Sequence, residues 1–121
     1  LVVTRNTSRE ELAERAESLR RAVADTAFVI PNGEPLRVTC SIGFACYPLD
    51  PATPREAPWS AVLAVADAAL YAAKREGRNR WVGVVQGRGT PFAIAQSLSG
   101  ELECEARVVR GSPPEATPAT D

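Results

Sequence analysis

Four basic residues lie at the end of an apolar segment, in the stretch ADAALYAAKREGRNR that spans residues 66–80. Lys74 and Arg78 are four residues apart, so they share a face if the helical path continues through Gly77. If the chain turns at Gly77, Arg78 can still fold back beside Lys74. A guanidinium fork and an ammonium point charge together are suited to binding phosphate groups. The spacing therefore raises the hypothesis of an anion site.

A simpler interpretation of the same residues is structural. Lys and Arg are common in the last turn of a helix, because they offset the partial negative charge that the backbone carries there. On spacing alone this interpretation is the more ordinary one, and an anion site at this end would depend entirely on the cations. Arg75 projects about 100° away from Lys74 around the helix and is expected to meet solvent.

Other polar residues of the chain give weaker signals. Asp67 is interpreted as a structural acid partnered by Tyr71 or by a backbone donor, since one carboxylate without a second acid is weak evidence for a metal site. Ser41 in CSIGFA could mimic a nucleophile, but the chain contains no histidine, which is the commonest general base. The residues present therefore predict neither a catalytic nor a metal-binding side chain.

The composition is that of a soluble globular domain. The 121 residues are 45% hydrophobic and 24% charged, and the net charge of −1 gives no general attraction to nucleic acid or anionic membranes. Cys40 and Cys46 lie on one predicted strand, roughly 20 Å apart, which is too far for a disulfide. Reduced thiols in the cytoplasm are expected. The lack of methionine and the apolar start at Leu1 suggest a fragment of a longer protein.

The elements that must position the basic residues follow from periodicity and capping signals. The prediction is a strand at 1–4, a helix from Ser8 to near Asp25, a hairpin strand at 27–30, a long alternating strand at 36–47, a second helix from Pro58 or Trp59 to Gly77, and a strand at 81–85. Two apolar stripes are predicted to face the core: Leu12, Ala16, Leu19 and Val23 on the first helix, and Trp59, Val62, Leu63, Ala66, Leu70 and Ala73 on the second. Gly43 is expected to mark close helix packing or a bulge.

These elements predict an α/β fold in which helices pack on a largely antiparallel sheet. The predicted domain covers residues 1–86. Residues 87–121 are predicted to be a weakly structured to disordered tail, with possible short elements between 92 and 109 and a Pro-rich end.

Two segments together resemble one known family. VTCSIGFACYP (38–48), followed by ADAALYAAKREGRNR, is similar to the C-terminal half of GGDEF domains, the diguanylate cyclases of bacteria. The resemblance extends from Leu1 to about Val85. The matching positions are Ser41, Ile42, Gly43, Ala66, Asp67, Ala69, Leu70, Tyr71, Ala73, Lys74, Gly77, Arg78 and Asn79.

The resemblance implies a nucleotide-cyclase-like fold and a specific activity. Such domains condense two GTP molecules into cyclic di-GMP and two pyrophosphates with Mg²⁺ or Mn²⁺, and each subunit of a homodimer presents one GTP. The Lys and Arg of the motif contact the GTP phosphates, and these positions match Lys74 and Arg78 here. The parent protein would be cytoplasmic or membrane-anchored through segments upstream, and would carry a sensory or regulatory domain.

The family signature G-G-[DE]-E-F is absent from this sequence. The resemblance places that signature, and the ligands of the metal, upstream of Leu1, so the chain by itself is expected to be inactive. An arginine that often assists product inhibition would fall at Ser18, which makes feedback control doubtful. One alternative is a degenerate, non-catalytic GGDEF domain that binds GTP, cyclic di-GMP or a partner protein. A purely structural α/β module is another.

Overall fold

The computed structural model describes residues 1–55, 57–100 and 106–113. These residues form three helices and five strands, an arrangement that confirms the predicted α/β fold class. The helices are α1 (Arg9–Ala24), α2 (Trp59–Arg75) and α3 (Pro91–Ser97). The strands are β1 (Phe28–Val29), β2 (Pro35–Leu36), β3 (Ile42–Ala45), β4 (Trp81–Gly87) and β5 (Ala106–Gly111).

Helix α1 begins and ends where its sequence predicts. The Ser8 hydroxyl accepts a hydrogen bond from the Glu11 amide at 3.1 Å, and Asp25 is the C-cap. The buried residues of α1 are Ala16 and Arg20, whereas Leu19 is 46% exposed. The predicted apolar stripe is therefore correct at Ala16 and wrong at Leu19, because the face that packs inward continues from Ala16 to Arg20, one turn later.

Helix α2 has the predicted boundaries, and the predicted apolar stripe is correct at Val62 and Ala73. Its buried residues are Val62, Val65, Ala69, Ala72 and Ala73. The predicted stripe is wrong at its start, since Trp59 is 47% and Leu63 is 37% exposed. The helix is apolar on most sides, so periodicity alone could not select the inward face. Ile94 of α3 and its C-cap residue Leu98 belong to the same core as Val65 and Ala72 of α2.

The described strands form two sheets. Strands β1 and β2 pair antiparallel in a hairpin, and a second sheet has the order β3-β4-β5. Strand β3 runs parallel to β4, and β5 is antiparallel to β4. The predicted single strand at 36–47 is wrong, because β2 belongs to the hairpin while β3 belongs to the three-stranded sheet. The chain changes sheets between them, and α2 then makes the crossover that a parallel pair requires.

Close packing between α2 and β3 occurs at Gly43, as predicted. A Cβ atom placed there would lie 2.1 Å from the Leu70 nitrogen and 2.3 Å from the Ala66 oxygen, both of them backbone atoms. Only glycine allows the helix to approach the strand this closely. This contact fixes the distance between α2 and the sheet.

The predicted strand at 1–4 is wrong. These residues have no regular secondary structure, and Leu1, Val2 and Val3 are exposed. A strand is stabilised by ladder hydrogen bonds to a neighbour. No strand of the described ranges pairs with this segment.

Beyond residue 87 the described chain contains a helix and a strand, close to the positions where short elements were considered possible. The Thr90 hydroxyl caps α3, and Ile94 is fully buried. Strand β5 pairs with β4 from Trp81↔Gly111 to Gly87↔Ala106. The short apolar pieces carry a weak local signal, and pairing with a distant strand decides their structure. The predicted disordered end at 114–121 and residues 101–105 lie outside the described residues.

Candidate functional site

The chain leaves α2 through a tightly bonded turn. The Arg78 amide donates to the Ala73 carbonyl at 3.0 Å, and the Gly77 amide donates to the Lys74 carbonyl at 3.4 Å. This pair of bonds is the Schellman pattern that closes many helices. Gly77 has φ +130°, as expected for a glycine that ends a helix, and Arg78 and Asn79 follow with φ of 63° and 49°.

The basic cluster, comprising Lys74, Arg75, Arg78 and Arg80, divides into engaged and unengaged side chains. The Arg75 Nη2 donates to the Leu98 carbonyl at 3.0 Å, and its guanidinium lies 5.8 Å from the Tyr71 ring centroid. The Arg80 Nε donates to the Arg78 carbonyl at 3.0 Å. Within the described ranges, the exposed side chains of Lys74 and Arg78 have no hydrogen bond or ion pair. Arg75 is exposed, as expected, but it also binds the carbonyl of Leu98, the C-cap residue of α3.

Asp67 and Ser41 do not form a reactive group. Asp67 is exposed and makes no hydrogen bond or ion pair with any described residue, so the predicted partnership with Tyr71 is not observed. Among residues 1–55, 57–100 and 106–113, no group of three or more His, Cys, Asp or Glu side chains is arranged to hold a metal ion. Ser41 lies just before β3 and is half-buried.

A buried polar network joins α1 to the turn after α2. The Arg20 guanidinium donates from Nε and Nη2 to the two Glu17 carboxylate oxygens, at 2.9 and 2.7 Å. Its Nη1 donates to the Asn79 Oδ1 at 2.9 Å, and the Trp81 indole donates to Glu17 at 3.1 Å. We call Glu17, Arg20, Asn79 and Trp81 the α1–turn network. It ties residues 59 positions apart in the chain.

The charges of this network stabilise one another. The hydrogen bond from Arg20, with further ones from Trp81 and Arg21, lowers the pKa of Glu17 to about 2 although partial burial opposes the shift. The Glu17 carboxylate raises the pKa of Arg20 in turn. Arg21 also contacts Glu17, with Nε 2.7 Å from Oε2, but its side chain is 65% exposed. The i,i+4 spacing of these two residues on α1 allows this ion pair.

Sequence reasoning did not find the α1–turn network. One available signal was that Arg20 follows Ala16 by a single helical turn and so lies on the inward face. A buried arginine requires partners, and this requirement could have prompted a search for them. The identity of the distant partner, Asn79, could not be obtained from spacing.

Cys40 and Cys46 are free thiols, as predicted. Burial raises the pKa of both, although Arg20 and Arg9 respectively oppose the shift. A raised pKa lowers the fraction of reactive thiolate, so neither group is suited to nucleophilic chemistry. The third cysteine, Cys104, lies outside the described residues.

None of the helices in the described ranges has both the length and the hydropathy needed to cross a bilayer.

Comparisons with known proteins show which family this chain resembles. Residues 1–80 match the family model described as "Diguanylate cyclase, GGDEF domain". The chain is 40% identical over 79 residues to the uncharacterized protein YhcK of Bacillus subtilis, a match that covers 65% of this chain and 21% of that protein. It is 36% identical over 80 residues to the diguanylate cyclase DosC of Escherichia coli K12, covering 66% of this chain and 16% of DosC.

The matched region is thus about a fifth or less of the length of these relatives. No solved structure matches the chain significantly. The family match covers 80 of the 121 residues and includes α1, β3 and the whole of α2 together with the turn that follows it. The chain therefore belongs to the GGDEF domain family of diguanylate cyclases.

Proposed function

We propose that this chain is the C-terminal part of a diguanylate cyclase domain, and that Lys74 and Arg78 bind the phosphates of GTP. The observation that carries the proposal is the division of the basic cluster. Arg75 and Arg80 have protein partners, whereas Lys74 and Arg78 present unengaged cationic side chains in the described structure. These two residues occupy the positions that the family motif assigns to phosphate contact.

The proposed reaction is a phosphoryl transfer between two GTP molecules. The 3′-oxygen of each nucleotide forms a bond to the α-phosphorus of the other, and the bond from that phosphorus to its pyrophosphate breaks. Two GTP molecules thus give one cyclic di-GMP and two pyrophosphates, and the two hydroxyl protons are released. Negative charge develops on the leaving pyrophosphate, and cations held beside it lower the barrier. Lys74 and Arg78 would supply that charge.

The described residues do not fit a metal site, since they contain no cluster of ligand side chains. The family generally uses a divalent metal. We place the Mg²⁺ or Mn²⁺ ligands upstream of Leu1, together with the G-G-[DE]-E-F signature. The family also binds GTP and typically functions as a dimer with sensory domains. For this protein we propose a homodimer in which facing domains each present one GTP, under the control of an upstream regulatory domain.

This placement predicts that the 121-residue chain makes no cyclic di-GMP. Incubation with GTP and Mg²⁺, followed by chromatography, should yield no product, because the transfer requires carboxylates that hold the metal ion. Appreciable product would contradict both the placement of the ligands and the assignment of the site.

The phosphate contacts are tested in the longer protein that carries the signature. Lys74→Ala and Arg78→Ala should each lower kcat/KM roughly ten- to a hundredfold, because charge-assisted contacts contribute on the order of 1.5–3 kcal/mol. Arg75→Ala is the matched control, since it removes a cation from the same turn. It should retain most of the activity, with a small loss of thermal stability from the lost bond to the Leu98 carbonyl.

Circular dichroism on all three variants separates folding from function. The apolar side chains that α2 buries in the core are unchanged in each variant, so all three should fold. If Arg75→Ala lowers kcat/KM as much as the other two variants, or if turnover is unchanged in all three, the basic cluster is only a solvated helix end.

A further inference from the structure

The turn that carries Arg78 has an unfavourable backbone conformation. Arg78 and Asn79 are consecutive non-glycine residues with positive φ, at 63° and 49°. Few non-glycine residues adopt this region, although Asn does so more readily than most. Such a conformation persists only where surrounding contacts hold it in place. The contacts around this turn therefore determine the backbone position from which the Arg78 side chain extends.

Besides the bond from the Gly77 amide to the Lys74 carbonyl, three hydrogen bonds of the described structure involve Arg78 or Asn79. The Arg78 amide donates to the Ala73 carbonyl, and the Arg80 Nε donates to the Arg78 carbonyl, both at 3.0 Å. Both bonds are local, within five residues along the chain. The third comes from a different element: the Arg20 Nη1 of α1 donates to the Asn79 side chain at 2.9 Å.

Arg20 is well fixed for this purpose. It is 4% exposed, and its Nε and Nη2 form a bidentate pair with Glu17. A bidentate carboxylate pair fixes the plane of a guanidinium, so the remaining nitrogen, Nη1, points in one direction. Because all three nitrogens are engaged inside the protein, Arg20 has no accessible charge to offer to a phosphate.

We propose that Arg20 is a positioning residue for phosphate binding: held by Glu17, it fixes the turn through Asn79 and so sets the direction from which Arg78 reaches its phosphate. This inference rests on the proposed function, in which Arg78 contacts phosphate directly. It adds that a buried side chain on α1, remote in sequence, determines the affinity of the site without contacting the ligand.

The test uses the complete 121-residue chain and inorganic tripolyphosphate as the probe. Binding is followed by titration in ¹H–¹⁵N NMR, which also reports the backbone amide of Arg78. Arg20→Met and Asn79→Ala should each weaken binding roughly three- to tenfold, because the turn loses the contact that holds it. Both variants should also shift the Arg78 amide resonance before any probe is added.

Arg21→Met is the matched control. It removes a positive charge from the same helix and an ion pair with the same Glu17 carboxylate. Unlike Arg20, however, Arg21 is exposed and forms no hydrogen bond with Asn79. This variant should bind the probe with an affinity within twofold of the wild type, and its Arg78 amide resonance should not shift. An equal loss in Arg21→Met would overturn the inference, because it would show a general effect of charge.

The double variant Arg20→Met/Asn79→Ala tests whether the two residues act as one unit. If Arg20 acts through Asn79, the double variant binds no more weakly than the weaker single variant. Fully additive losses would overturn the inference. If Arg20→Met fails to fold, Asn79→Ala alone carries the test, since Asn79 lies outside the apolar core.

Arg78→Ala distinguishes this inference from the proposed function. Wild-type affinity in Arg78→Ala would overturn the proposed phosphate site, and the positioning role with it. Weakened binding in Arg78→Ala, together with wild-type affinity in folded Arg20→Met and Asn79→Ala, would overturn the positioning role alone.

Discussion

Helices α1 and α2 are 16 and 17 residues long, and they dock on the same sheet by different means. Helix α2 buries five apolar side chains and has no buried polar one. Helix α1 buries one alanine and one arginine, and it reaches the rest of the domain through long-range hydrogen bonds. Arg9 donates to the Pro48 and Val85 carbonyls, and Arg20 donates to Asn79.

The difference separates stability from orientation. The hydrophobic effect stabilises strongly but has no preferred direction, so burial stabilises α2 wherever its apolar face is covered. Hydrogen bonds depend on angle as well as distance, so α1 contributes a defined geometry. The turn after α2 depends on both helices: the packing of α2 places it at the edge of the core, and Arg20 of α1 holds it through Asn79.

The largest expected effect comes from the apolar docking of α2. Gly43→Ala places a methyl group against backbone atoms of Leu70 and Ala66, which can move only if the whole helix moves. We expect the free energy of unfolding to fall by about 3 kcal/mol, at the upper end of the usual cost of overpacking. Urea denaturation measures it.

Gly83→Ala is the matched control for that variant. An added Cβ there would lie 2.1 Å from the Phe44 ring, the same distance as at Gly43, but the obstacle is a side chain. The ring of Phe44, which is only half-buried, can rotate aside, so the loss should be clearly smaller. Equal losses in the two variants would show that α2 is not held rigidly against β3.

A smaller effect is expected from the polar docking of α1, and it should depend on pH. The pKa of Glu17 is lowered from 4.5 to about 2 in the folded chain. Its stabilisation is therefore complete above the unfolded value and is lost as the pH falls through about 2. We expect a contribution on the order of 2 kcal/mol, reduced by solvent screening. Urea midpoints at pH 5 and pH 2.5 measure it.

Glu17→Gln should lower the stability at pH 5 and should lose less than the wild type on acidification. Glu14→Gln serves as the control, because Glu14 is exposed on the same helix and makes no hydrogen bond or ion pair with a described residue. If Glu14→Gln flattens the pH dependence as much as Glu17→Gln, the α1–turn network does not hold α1 in place.

The smallest effect is expected at the start of α1. Ser8→Ala removes the hydroxyl that accepts from the Glu11 amide and should lower the free energy of unfolding by about 1 kcal/mol. Helix α2 has no side-chain cap at Pro58 and relies on packing instead. Thermal unfolding followed by circular dichroism measures the change. No loss in Ser8→Ala would indicate that long-range bonds alone define where α1 begins.

Local signals in the sequence were enough to predict part of this fold and to single out two residues of the candidate site. The Ser8 cap, the glycine at 77 that ends α2 and the close approach at Gly43 each involve a specific backbone requirement that one residue meets. Lys74 and Arg78 could be singled out because a family motif fixes their spacing. For the Ser8 cap and for Gly77, neighbours within a few positions carry the information, whereas at Gly43 the signal is a glycine inside a strand pattern.

The remaining features depend on which distant segments meet. Strands β2 and β3 could not be separated by alternation, since both continue the same period and only their partners differ. The engagement of Arg75 required α3, whose sequence signal is weak. The hydrogen bond from Arg20 to Asn79 joins residues 59 positions apart, and neither local sequence indicates which distant residue is its partner.

The position of β4 has a practical consequence for dividing this protein into parts. The family match ends at residue 80, and β4, the central strand of the three-stranded sheet, begins at Trp81. A polypeptide trimmed to the matched region would leave β3 without its strand partner and the apolar face of α2 open to water. Such a fragment would be prone to aggregate. The matched region is therefore shorter than the folded unit, which extends at least to Gly111.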